Sequence, residues 1–157
     1  MDTTFGIKGK DFVLLVADST IVRSIFKLKE TEDKIFTLND NKLISIGGPC
    51  ADMKVFRNHL QKNIELYKYR HGYELSTKET AHWTRMQCNR GRYGQVDSII
   101  AGIDESVPQL FWLDYIGTMT SLNFAAHGYA SYFLLGIFDN QYKAVMIIRG
   151  LSDFSRV

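Results

Sequence analysis

The stretch that most constrains this chain lies at its very start. Two apolar, β-prone runs, residues 3–7 and 12–17, flank Lys8-Gly9-Lys10-Asp11, whose glycine and aspartate suit a tight turn. This predicts an N-terminal hairpin. Its second run, Phe-Val-Leu-Leu-Val-Ala, is almost wholly apolar, which predicts burial on both faces and a chain that begins inside a layered fold.

Residues 24–29 and 34–38 read as strands around a charged connection, and 42–46 as an apolar strand that stops at Gly47-Gly48-Pro49. From Ala51 the apolar residues Met53, Val55, Phe56, Leu60, Ile64 and Tyr67 recur every three or four positions, a long helix that Gly72 ends. Ser76-Thr77-Lys78-Glu79 has the form of a capping box and opens a second helix. Residues 96–103 and 109–114 read as a buried strand and its hairpin partner, with a further strand over 122–126. A buried, aromatic-rich helix is predicted over 129–138, with Tyr129, Tyr132, Phe133 and Phe138 in the core, and a last amphipathic helix over 144–157.

Strands, then helices, then strands, then helices is the pattern of an α+β sandwich and not of a doubly wound parallel sheet. A length of 157 residues, 45% of them apolar, suits one domain spanning 1–157. The formal charge of +2 is spread along the chain, so nothing favours nucleic acid or an anionic membrane. No apolar run is long enough to span a bilayer and no leader pattern opens the chain, which reads as a soluble intracellular protein. Cys50 and Cys88 read as reduced structural thiols. His59, His71 and His82 lack partners at ligand spacing, so no metal and no cofactor is expected.

The start Thr3-Thr4-Phe5-Gly6-Ile7-Lys8-Gly9-Lys10-Asp11, the strand end Val16-Ala17-Asp18-Ser19, Ile46-Gly47-Gly48 entering a helix, Ile100-Ala101-Gly102-Ile103-Asp104 and Ala126-His127-Gly128-Tyr129-Ala130 together resemble the 20S proteasome β-subunit family. Asn63-Ile64-Glu65-Leu66-Tyr67-Lys68-Tyr69-Arg70, Gly72-Tyr73-Glu74-Leu75 and Phe124-Ala125-Ala126-His127-Gly128-Tyr129 resemble its non-catalytic type-4 branch. The resemblance implies the four-layer αββα sandwich of N-terminal nucleophile hydrolases. Family members continue through further strands, so the C-terminal part of the sandwich is expected to be missing or shortened here.

Active members of that family use an N-terminal threonine whose own α-amine serves as the base, aided by a lysine, an aspartate and an oxyanion-binding glycine amide. Residue by residue, the resemblance puts Asp18, Lys34 and Gly48 at the last three positions. The nucleophile position holds Asp2, and a serine of active members falls at Gly128. A carboxylate cannot replace a hydroxyl beside a free amine, and Met1 is expected to be retained because Asp2 is not small. No catalytic residue is therefore expected. Asp18 and Lys34 read as an ion pair kept for structure, Gly48 as a turn glycine, and His127 as a satisfied core or interface histidine.

The resemblance implies a silent structural subunit in the cytoplasm and nucleus. Its partners would be other β subunits of its ring, α-ring subunits and β subunits of the opposite ring, with protein degradation as the outcome. Two other readings stand beside it. One is a peptidase subunit that uses Thr3 after loss of Met1 and Asp2, although Thr3 lies one residue out of register, about 3.3 Å along a strand. The other is a free-standing domain with a different ligand.

Overall fold

A computed structural model describes residues 2–91 and 93–144. The expected final helix lies, from residue 145 on, outside these described residues. The first hairpin forms as the sequence demands, with β1 (Thr4–Lys8) paired antiparallel to β2 (Val13–Ala17). Its place in the sheet differs from expectation. The sheet order is β10-β1-β2, β10 being Phe124–His127, so β1 is central and β2 lies at an edge among the described residues. Only Leu15 of β2 is buried, because a strand at the edge of its sheet has neighbours on fewer sides.

β3 (Ile21–Arg23) and β4 (Phe26–Lys29) make a separate two-stranded ribbon. The sequence reading found its second arm and missed the first, which is three residues long. A five-stranded antiparallel sheet follows, built from β5 (Ile35–Asn39), β6 (Lys42–Gly47), β7 (Asp97–Asp104), β8 (Val107–Leu113) and β9 (Met119–Ser121) in that order. Glu105 and Ser106, both at positive φ, turn β7 into β8. The strand expected over 122–126 is β10, and the sequence reading missed β9 just before it, which belongs to the other sheet. A periodicity count cannot see such a switch.

Two helices cover the outer face of the five-stranded sheet. α1 (Cys50–His71) buries Met53, Phe56, Leu60 and Ile64 and ends at Gly72, whose φ of 76° lets its amide reach the Lys68 carbonyl. α2 (Thr77–Asn89) starts at the predicted capping box, where the Ser76 hydroxyl accepts from the Glu79 amide and the Glu79 carboxylate accepts from the Ser76 amide. Between them and the sheet lies the larger core, with Ile44, Ile46, Ile100 and Leu113. Leu15, Ile99, Ala101, Leu110 and Ala125 fill the space between the two sheets.

The fourth layer is α3 (Ser131–Gln141), which packs on the first sheet through Phe138 against Phe5 and Phe124 at ring-centroid distances of 5.6 and 5.7 Å. The stacking order is therefore α, β, β, α, as expected. α3 itself is not the buried helix that the sequence suggested. Of the four aromatics assigned to the core only Phe138 is buried, and Tyr129, Tyr132 and Phe133 are exposed.

Candidate functional site

The two sheets deliver the chain's second residue to the end of the sandwich where β6 runs into α1. Main-chain hydrogen bonding between Thr3 and Asp18 extends the first hairpin by one step, with the Asp18 amide donating to the Thr3 carbonyl at 2.9 Å. Asp2 then projects toward the bend at Gly47 and Gly48. This places together Asp2, Asp18, Lys34 and Gly48, the set singled out from the sequence.

Lys34 is the centre of the cluster. It is 1% exposed, and its ammonium has three protons to place. Each finds an acceptor: Asp2 Oδ1 at 2.6 Å, Asp18 Oδ1 at 2.8 Å and the Thr20 carbonyl at 2.8 Å. Asp18 is held in turn by the Thr3 amide at 2.7 Å and, through its other oxygen, by the Thr20 amide at 3.3 Å. Burial opposes the charged form of both partners, yet both stay charged. Against burial, the Lys34 hydrogen bond and the Thr3 amide hold the Asp18 carboxyl below its ordinary range. Against the same cost, hydrogen bonds to Asp18 and Asp2 raise the pKa of Lys34. The Asp18–Lys34 ion pair is present. Sequence reasoning missed both other acceptors, the Asp2 carboxylate, read only as a lost nucleophile, and the Thr20 carbonyl, because backbone partners leave no mark on residue type.

The remaining oxygen of Asp2, Oδ2, accepts from the Gly48 amide at 2.7 Å. Gly48 has φ of 140°, and a Cβ there would lie 2.4 Å from the Gln95 carbonyl oxygen, so this bend requires glycine. Gly47 shows no such requirement. Opposite, Gly128 has φ of 78°, and a Cβ on it would fall 1.7 Å from the Asp2 carbonyl oxygen. The main chain of Asp2 thus occupies the space that any side chain at 128 would need. Alternation along an extended segment turns the Thr3 side chain to the opposite face from that of Asp2.

A cleft of about 430 Å³ opens above this cluster, lined by Asp2, Gly48, Asp97, His127, Gly128 and Tyr132 among others. His127 is the satisfied histidine that was expected. Its Nε2 lies 3.3 Å from the Ser98 carbonyl, and its ring stacks on Trp112 at 4.8 Å. Burial pushes its pKa below the ordinary value, against the pull of the Asp97 carboxylate. Among the described residues no three His, Cys, Asp or Glu side chains converge as a metal site would need. Cys50 and Cys88 are free thiols, and burial pushes Cys88 up to about 11.

An αββα sandwich that brings its N-terminal strand to a lysine, an aspartate and a strand-to-helix glycine has the layout of the N-terminal nucleophile hydrolases. Residues 1–153 match the family described as proteasome subunit. The chain is 39% identical to proteasome subunit beta type-2 of Dictyostelium discoideum over 150 residues, covering 91% of this chain and 76% of that protein. It is 37% identical to a probable proteasome subunit beta type-4 of Schizosaccharomyces pombe over 94% of this chain and 79% of the relative. Against proteasome subunit beta type-4 of Saccharomyces cerevisiae the identity is 33%, over 93% and 77%. This chain belongs to the proteasome subunit family.

Proposed function

We propose that this chain is a non-catalytic structural β subunit of the 20S proteasome core, and that it works by holding neighbours in place. The complex around it would be a threonine-type endopeptidase that degrades proteins, including those marked by ubiquitin. The observation that carries the silent reading is Asp2. The residue that meets Lys34 and the Gly48 amide has a carboxylate and no hydroxyl, and that carboxylate is already committed to both.

The site roles follow from this reading. Asp18 and Lys34 serve as an ion pair that anchors the N-terminal strand, Gly48 and Gly128 as positions where only glycine fits, and none of them as a catalytic residue. Partners would be β subunits of the same ring, α-ring subunits and β subunits of the opposite ring, with cytoplasm and nucleus as the compartments. The exposed apolar side chains of α3 support a life in contact with partners. Among the described residues no helix is long and apolar enough to cross a membrane.

The experiment is intact-mass and N-terminal analysis of the chain in purified native particles, combined with a covalent probe for N-terminal threonine. Retention of Asp2 without label is the expected result. A terminus at Thr3 that carries the probe overturns the reading and makes this a peptidase subunit.

A further inference from the structure

Asp2 is more than a missing nucleophile. Its two carboxylate oxygens bind different donors, Lys34 Nζ through Oδ1 and the Gly48 amide through Oδ2, at 2.6 and 2.7 Å. These are short, charge-assisted contacts, and the lysine is almost fully buried. The backbone is shaped to allow them. Gly48, at φ of 140°, turns its amide toward Asp2, and Gly128 leaves the space that the Asp2 carbonyl fills. Two glycines from different layers therefore border one residue.

We propose that Lys34 and the Gly48 amide form a carboxylate-binding cradle whose resident ligand is the chain's own Asp2, seated there because Gly128 admits the Asp2 main chain. The inference rests on the silent reading and deepens it. The site is occupied as well as lacking a nucleophile, and the occupant ties the N-terminal strand to the β6–α1 bend. Asp2 is the internal ligand and Gly128 a positioning residue. With the Asp2 side chain removed, the cradle should accept a small monocarboxylate, because a buried ammonium and an amide fixed by a glycine turn remain in place.

The test is hydrogen exchange at the Gly48 amide in assembled particles carrying the full chain, either unsubstituted, Asp2→Ala or Gly128→Ala, with formate titrated against chloride at constant ionic strength. In Asp2→Ala the Gly48 amide should exchange about 10- to 100-fold faster, the loss of one charge-assisted hydrogen bond, and formate should restore protection where chloride does not. Gly128→Ala should acquire the same formate response, since it displaces Asp2 from the cradle. The unsubstituted chain should ignore formate. Unchanged protection in Asp2→Ala, or a loss that formate and chloride affect equally, overturns the cradle. Failure of the silent reading shows separately, as probe labelling of Thr3 in the unsubstituted chain.

Discussion

α1 and α3 invert the usual relation between composition and burial. α1 carries seven charged residues among its 22 positions, yet its stripe of Met53, Phe56, Leu60 and Ile64 is sealed against the five-stranded sheet. α3 is mostly apolar over 11 residues, yet it buries only Phe138, and Tyr132 is 81% and Phe133 74% exposed. Burial depends on what the neighbouring layer offers and not on how apolar a segment is. The proposed place in a multi-subunit particle accounts for α3, whose exposed side chains have the character of a surface that meets another protein.

The contrast can be broken most directly by truncating one ring on each helix. Phe56→Ala should cost about 3–5 kcal/mol in urea unfolding, because a fully buried ring leaves a cavity. Phe133→Ala should change the stability of the chain by no more than about 0.5 kcal/mol while reducing its incorporation into particles on size-exclusion chromatography. Equal destabilisation by the two would end the distinction.

The ionic cluster provides the next largest effect. Lys34→Met should cost about 3–5 kcal/mol, because the carboxylates of Asp2 and Asp18 would be left facing each other without a cation. Denaturant titration of the variant measures this, and a neutral result would mean that the cluster contributes nothing net.

Asp18→Asn should cost about 1–2 kcal/mol near pH 7, less than Lys34→Met because Asp18 is partly exposed. Its pH dependence has a definite sign. The folded pKa of Asp18 is lowered, so the stability it contributes is present above the ordinary value of 3.8 and is lost as pH falls through the lower folded value. Lys34 is raised from 10.5, so its contribution persists below that value and fades only as pH rises through the folded one. The difference between unsubstituted and Asp18→Asn chains should therefore be flat across neutral pH and close in acid. A gap that does not narrow at all as pH falls below 3.8 would assign the effect to packing.

The smallest loss of stability expected from these contacts belongs to the helix start on the well-packed side, above only the near-zero change at Phe133. Ser76→Ala should cost about 1 kcal/mol by removing the hydroxyl that caps α2. Thermal unfolding reads this, and Ser76→Asp should recover most of it.

Local signals were well legible in the sequence. The turn residues between β1 and β2, the Ser76–Glu79 box and the αL position of Gly72 each announce themselves within a few residues. The site positions Asp2, Asp18, Lys34, Gly48 and Gly128 were legible too, through the resemblance carried by the motifs around them. Long-range facts were not. Sequence could not tell that residues 119–127 are divided between two sheets, that β2 ends a sheet, or that Tyr132 and Phe133 of α3 face outward. It presented Asp2 as a loss, while the three-dimensional arrangement gives its carboxylate two partners, 32 and 46 residues away.

By itself, then, the sequence determined the main turns and helix ends, the layered class and the absence of a hydroxyl at residue 2, because these depend on residue type and short spacing. Only the tertiary structure decided where Asp2 spends its two oxygens, which glycines make room for it and which apolar faces find cover. Those outcomes depend on contacts between distant segments, and such contacts form only when the two sheets stack.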